Sequence, residues 1–376
     1  MNTTASRSRP RRLLMALLLA LAGLPAAAQP QTAPPEAEDP GRTVPPLRLS
    51  VSAVYQRWMQ DEQRLRAVSI PVTAEMRLRP SLGLRLGISR AAAEGSGFEP
   101  VEGVTDLHLG LDYLIRFERA RLVFDLGVDV PTGTSRLSEA AYATAFQLGL
   151  SQYDFRVPHF GRGLAVAPGV ALVAALSDAV AITLGAAYRY HGAFDPVSDL
   201  PDAYDWGNEM RFTVGGAWQV GRTLRLTADG TLTRYDADAI GDVTVYEAGQ
   251  RITAQAQIRK TLPRHDLQIG LRYRTVGTGR ALAPGGLQPE PAPARAGLFG
   301  AAAQYGVRLG PALRATLAVD GTRYEPDALF DRITVYGIRL APALTPAPRL
   351  TIPVHARYAF GDLDGLEAGL GLVAIL

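Results

Sequence analysis

The chain has 376 residues; 20% are charged, 47% are apolar and none is cysteine. That balance excludes a wholly disordered chain, and the lack of cysteine excludes a disulfide framework, a thiol nucleophile and a thiolate metal site. The formal charge of +3 is no nucleic-acid signal: residues 1–28 hold four arginines and no carboxylate, and without them 35 basic residues face 36 acidic ones, a net charge of −1.

Arg7, Arg9, Arg11 and Arg12 precede the apolar run Leu13–Leu24, and Ala26-Ala27-Ala28 follows Pro25. A basic region, a short apolar region and a small-residue cleavage site are the three parts of a secretory signal peptide. Twelve apolar residues are short for a membrane span of about 20. Residues 1–28 are therefore expected to be removed near Ala28. Residues 29–46, rich in Pro and acidic side chains, read as a disordered linker. Residues 47–376 then form one domain.

From Leu47 onward, apolar and polar residues alternate in segment after segment, the period of a strand. Leu47, Leu49, Val51, Ala53 and Tyr55 share one face. Ile70 to Leu78 and Leu82 to Ile88 follow, then Leu107 to Tyr113 with Asp106, His108 and Asp112 opposite, and Leu122 to Val130 with Asp125 and Asp129 opposite. The clearest case is Ile252 to Arg274. Ile252, Ala254, Ala256 and Ile258 alternate with polar residues, and after a turn Leu267, Ile269, Leu271 and Tyr273 do the same. A phase shift near Gly337 suggests a bulge. The last alternating strand ends on Leu376.

The pattern breaks once. Pro131-Thr132-Gly133 ends a strand, and Leu137 to Ser151 reads as a helix with Ser138 as its cap and Glu139 in its first turn. A strand is the alternative there. As a helix, the segment either folds inward as a constriction or plug, with Tyr142 and Phe146 among its bulky side chains, or caps the mouth.

With that helix, 16 strands result, 14 being the lower count. Tight connections at Arg79–Ser81, Glu118–Arg119, Ser177–Asp178, Gly221–Arg222, Leu262–Asp266, Gly310–Pro311 and Leu344–Pro348 alternate with longer ones. The longer ones are Arg57–Arg66, Ala91–Gly103, Pro131–Gly163, Gly192–Trp206, Asp236–Thr244, Gly279–Arg295 and Glu325–Asp331. Short periplasmic turns opposite long outer loops belong to outer-membrane barrels and have no reason to occur in a soluble sandwich. Tyr55, Tyr188, Tyr190, Tyr235, Tyr273, Tyr324, Tyr358 and Phe360 lie where strands approach the long loops, an interfacial girdle. Phe117, Trp218 and Tyr305 form a thinner one at the other end. The fold class expected is all-β: a transmembrane antiparallel up-and-down β-barrel with one short helix in a long outer loop, in the outer membrane of a Gram-negative-type bacterium.

The closing Gly369 to Leu376 (GLGLVAIL) resembles the carboxy-terminal signal of outer-membrane barrels, with Leu376 in place of the usual terminal aromatic. The segment Val128 to Leu137 (VDVPTGTSRL) resembles the strand-end Pro-Thr-Gly of barrels grouped with the phenol-degradation meta-pathway outer-membrane family. Gly161 to Leu172 (GRGLAVAPGVAL) and Leu184 to Phe194 (LGAAYRYHGAF) are similar to segments of related barrels. The resemblance implies an outer-membrane pore or transporter for small, apolar or aromatic molecules. It assigns no site residues.

The polar faces supply the candidate site. Asp106, Asp112, Asp125 and Asp129 form an acidic lumen wall. Arg251, Arg259, Arg272, Arg274 and Arg308 form a basic one about six strands away, and facing walls of opposite sign would set a transverse field across a water-filled pore. The other reading is that these groups merely satisfy each other and water. Asp195, Asp199, Asp202 and Asp205 read as a solvated loop cluster. No nucleophile, metal or cofactor motif stands out, and His108 near Asp106 and Asp125 is the one constellation with catalytic residue types. The expected role is passive passage of small solutes through a polar lumen; the alternative is a structural or adhesive barrel plugged by its loop helix. The expected partners are outer-membrane lipid, the barrel-assembly machinery and a small-molecule solute, not nucleic acid, and neither cofactor nor catalysis is expected.

Overall fold

The computed structural model describes residues 47–60, 62–198, 202–291, 297–327 and 331–376. The signal peptide and linker expected at 1–46, and Asp199 of the acidic cluster, lie outside them. In chain order the elements are β1 (Leu47–Gln60), β2 (Gln63–Arg79), β3 (Leu82–Gly95), β4 (Phe98–Val104), β5 (Leu107–Arg116), β6 (Ala120–Val130) and α1 (Glu139–Leu148). Next come β7 (Ala165–Ala175), β8 (Val180–His191), β9 (Tyr204–Asp205), β10 (Glu209–Val220), β11 (Leu224–Tyr235), β12 (Ala237–Ile240), β13 (Val243–Glu247), β14 (Arg251–Thr261) and β15 (His265–Val276). The chain ends with β16 (Arg280–Ala283), β17 (Gly286–Pro289), β18 (Leu298–Arg308), β19 (Leu313–Tyr324), β20 (Ile333–Ala347), β21 (Leu350–Gly361) and β22 (Asp364–Ile375).

One antiparallel sheet closes on itself, because β22 returns to β1 in register from Arg48 opposite Ile375 to Met59 opposite Asp364. Seventeen strands belong to it. β4 and β5 share one place, the outer part of β3 pairing with β4 and the inner part with β5. The wall is therefore a barrel of 16 strands. Three outer connections add a small sheet in the order β17-β16-β13-β12-β9.

Alternation drives the closure. In the β14–β15 hairpin Ile258 stands opposite Ile269 and Gln257 opposite Gly270. Ile258 and Ile269 point outward and stay exposed, as do Phe124, Leu172, Leu184, Phe212, Leu317, Ile338 and Leu370 around the wall. A continuous exposed apolar belt is unstable against water and is the lipid-facing surface of a membrane barrel, which has no open edge and so leaves no backbone group unpaired in hydrocarbon. No helix among the described residues is long and apolar enough to cross a membrane.

Exposed Tyr188, Tyr190, Tyr273, Tyr358 and Phe360 rim the outer interface, with Tyr336 and Phe360 ring centres 5.7 Å apart, and Phe117, Trp218 and Tyr305 are exposed at the opposite end. Two expected girdle members turn the other way. Tyr324 reaches into the lumen and donates to the Ser151 carbonyl at 3.0 Å, and Tyr235 stacks under the Arg251 guanidinium at 5.6 Å.

Three other expectations are corrected. Arg57–Arg66 is no loop: Arg57 stands opposite Arg66 and Gln60 opposite Gln63 in a continuous ladder. Ala91–Gly103 is likewise paired, Ala91 opposite Gly103 and Ala93 opposite Val101. Both hairpins carry the barrel wall beyond the lipid, where their inward side chains have an interior to pack against. Gly337 marks no break in the β19–β20 register; Ile333 and Val335 are buried inside the barrel while Ile338 and Leu340 face out.

Candidate functional site: the lumen and its inserted segment

The connection between β6 and β7 folds into the barrel. Its two ends cross in a tight neck. Pro131, with no N–H to donate, ends the β6 ladder. The Asp106 carboxylate accepts from the backbone N–H of Gly133 at 2.8 Å and from that of Arg162 at 2.6 Å, tying the outgoing and returning strands of the neck together. A Cβ on Gly133 would stand 2.7 Å from the Asp106 nitrogen and from the Gly161 Cα. The neck thus requires glycine at the Pro-Thr-Gly and Gly-Arg-Gly positions.

The helix follows. The Ser138 hydroxyl accepts from the Ala141 N–H at 3.1 Å, the capping bond expected of it, and Glu139 lies in the first turn, where the helix dipole favours an anion. Two faces of α1 are buried. Ala141, Ala145 and Leu148 pack on inward residues of the wall, among them Trp58, Leu65, Ala91, Ala93 and Val101. Tyr142 and Phe146 pack on Val197, Tyr204 and Trp206 of the outer loops. Thr144 donates to the Glu99 carbonyl at 2.6 Å. The helix therefore sits inside the mouth, wedged between wall and loops. On the loop side, Tyr204 donates to Asp238 at 2.6 Å, and the Arg162 guanidinium lies 4.9 Å from the Trp206 ring centre.

Residues 149–160 then cross the lumen. Ser151 accepts from Arg274 of β15 at 3.2 Å, whereas Leu148 meets Ala91 and Ala93 of β3. β3 and β15 are eight places apart on a ring of sixteen, directly across. Gln56 of β1 donates to the Asp154 carbonyl at 3.0 Å and accepts from the Arg156 N–H at 2.7 Å. Arg156 reaches Glu367 of β22 at 2.7 Å, and His355 approaches the same carboxylate at 2.8 Å. Enclosure within the barrel holds the Asp154 carboxyl above the ordinary aspartate range despite Arg357 and Arg156 nearby. It holds His159 well below the ordinary histidine value, with Arg162 and Arg189 adding to the effect.

Many of the remaining lumen charges are answered on nearby strands. Asp112 meets Arg77 at 2.8 Å and Arg85 at 3.7 Å. Asp129 binds Arg189 and takes the His108 Nδ1 at 2.7 Å. Asp125 stands opposite Asp112. Arg259 binds Asp266 at 3.1 Å, and Arg314 shares that carboxylate at 3.4 Å. Arg357 binds Asp320 at 2.7 Å. Arg274 is buried against the inserted segment and Arg251 lies over Tyr235, whereas Arg272 and Arg308 are exposed to the lumen. Of the acidic cluster, Asp195 binds Arg136 at 2.6 Å beside the helix entrance.

The anchors Gln56, Arg156, Tyr324, Glu367 and Ser151 carry no motif. Gln56 and Glu367 do occupy inward positions of alternating strands, a signal that marks the face but not the partner.

No family model matches the chain, and no curated protein does. Solved structures match its fold over most of its length. An outer-membrane channel from Pseudomonas putida F1 is 14% identical, with a TM-score of 0.43 over 78% of this chain and 100% of that one. OccK7 from Pseudomonas aeruginosa is 14% identical, with a TM-score of 0.44 over 88% and 98%. OpdQ from the same organism is 9% identical, with a TM-score of 0.46 over 88% and 96%. Likeness this distant names no solute. The closed sheet, the lipid-facing belt and the two aromatic rims are what make this chain an outer-membrane β-barrel.

Proposed function

We propose that the barrel is a channel for small solutes, narrowed at its outer end by residues 131–163. One observation carries this reading: below the inserted segment the inward positions are polar or small, such as Thr213 bonded to Thr231 at 3.0 Å and Gln255 bonded to Asp229 at 2.9 Å, with Gly270 beside Gln257. Among the described residues the apolar core lies at the outer end. A barrel of this strand number encloses more space than its own side chains fill. Solute passes beside the inserted segment, along a lumen whose paired charges orient dipolar molecules.

The two apolar clusters around α1 favour a second reading, a structural barrel sealed by its own loop. Swelling of liposomes carrying the purified protein separates the two. Swelling that depends on solute size supports the channel, and its absence for every solute sinks it. Arg272 is the residue with which to test the charge of the lumen, since Arg274 holds Ser151. Arg272→Glu is expected to lower the anion-to-cation permeability ratio; an unchanged ratio removes the basic wall from selectivity.

A further inference from the structure

One stretch of the lipid-facing wall carries unanswered positive charge at the periplasmic interface. Lys260, the only lysine in the chain, stands on β14 two residues beyond Ile258, on the outward register, and is exposed. Its direct neighbours across the sheet are Leu224 of β11 and Leu267 of β15. Leu267 stands in turn opposite Tyr305 of β18, so the four share one outward row. An ammonium is costly in hydrocarbon. Its four-carbon stem lies along the apolar surface and carries the charge to the water's edge, which the tight turns at this end of the barrel mark.

The surroundings add cations and no outward carboxylate. Arg222, in the β10–β11 turn, lies two residues from Leu224 and so diagonal to Lys260, and Arg264 lies in the β14–β15 turn; both are exposed. Among the described residues none of the three cations forms an ion pair. The carboxylate beside these turns, Asp266, faces the lumen, where Arg259 and Arg314 take it. His265 and Tyr305 complete the patch. Their rings stack with centres 5.8 Å apart, and the His265 Nδ1 lies 2.6 Å from the Tyr305 hydroxyl. Such a pair is an amphipathic platform at the depth where aromatic side chains meet headgroups. On the bilayer side of it Ile258, Leu267 and Ile269 are exposed apolar surface.

We infer that the periplasmic rim from β10 to β18 is a docking site for an anionic phospholipid. Lys260 and Arg222 take its phosphate, Tyr305 and His265 flank its glycerol region, and its acyl chains lie along Ile258, Leu267 and Ile269. Two observations choose this occupant. The patch is positive with no carboxylate of its own facing outward, so it complements an anion. It is also continuous with the lipid-facing belt, and an anion that meets Lys260 in a row of leucines is best matched when it carries acyl chains. A dissolved solute in the lumen meets the opposite face of these strands. The site stands whether or not the barrel conducts.

The test uses the full barrel in phosphatidylcholine vesicles holding a trace of spin-labelled phosphatidylglycerol or spin-labelled phosphatidylcholine. Electron spin resonance reads the fraction of each label held at the protein. Wild type is expected to hold the phosphatidylglycerol label several-fold more strongly. One cation at a membrane surface is worth roughly fivefold in association with anionic lipid, so K260Q/R222Q is expected to bring the two labels close to equality. R234Q removes an exposed outward arginine at the outer rim, opposite Met210, and is expected to keep most of the preference. A fall as large in R234Q as in K260Q/R222Q shows that any rim cation serves and overturns the site. Equal association of both labels with wild type, the result for a face covered by a second copy or by neutral lipid, overturns it too. So does loss of the preference on adding inorganic phosphate at constant ionic strength, which assigns the cations to a dissolved anion. Should the double variant not assemble, K260Q alone, at an exposed position, gives the same readout in a smaller step.

Discussion

At the outer end of the barrel, inward positions hold Trp58, Leu65, Ala67, Ala91, Ala93, Val101, Ile333 and Val335, all buried against the inserted segment. At the periplasmic end, equivalent inward positions hold Arg121, Arg225, Arg259, Arg308 and Arg314, most facing water or each other. The strands are the same and so is their alternation. What differs is the occupant of the interior. Where the chain re-enters its own barrel, the lumen face becomes a hydrophobic core, and apolar burial at about 25 cal/mol per Å² holds the segment in place. Where it does not, the lumen face stays a solvated polar surface. A β-barrel wall thus has no fixed inside chemistry; each height is matched to what stands there.

Deleting residues 136–154 is the strongest way to erase this difference. It removes α1 and the first part of the crossing segment, and single-channel conductance is expected to rise severalfold as the outer half comes to resemble the inner. Unchanged conductance would show that the segment does not narrow the path. Gly133→Val attacks the neck alone. Its side chain meets backbone atoms of Asp106 and Gly161, and overpacking of this kind costs about 1–3 kcal/mol. The expected outcome is protease cleavage within residues 137–160 while the barrel itself keeps its resistance to unfolding in detergent.

Two groups of the segment enclosed by the barrel, Asp154 and His159, make its seating depend on pH, with opposite signs. His159 is held neutral when seated, its value depressed below 6.5. The released form alone takes up a proton as pH falls through 6.5, so the contribution of His159 to seating is present above that pH and lost below it. Asp154 is raised, so its seated form keeps a proton that the released form has lost, and its contribution strengthens seating as pH falls toward the aspartate range. Asp154→Asn, tolerable at its positive φ of 49°, is therefore expected to steepen the acid loosening, read as protease access against pH. His159→Gln should flatten it. The smallest effect is Ser138→Ala. Loss of the cap costs about 1 kcal/mol, enough to fray α1 without unseating it and visible as faster amide exchange at Ala141 against an unchanged wall.

The sequence by itself determined the number of wall strands, their membrane-level course, the tight turns and the capped helix, but not the outer hairpin extensions or the small outer sheet. Each of these follows from a local cause: side chains on a strand alternate faces, Pro131 cannot continue a ladder, and Ser138 satisfies an N–H three residues on. Local causes fail where a face has two possible partners. Ile333 and Val335 are as apolar as Ile338 and Leu340, yet the first two meet the inserted segment and the others meet lipid. Tyr324 and Tyr358 are both tyrosines near an outer loop, but one holds Ser151 and the other stands in the girdle. Which carboxylate answers which arginine, and that Lys260 and Tyr305 share one outward row, depends on register between strands distant in sequence. Only the closed barrel decides those meetings, because alternation fixes which residues share a face and closure fixes what that face encloses.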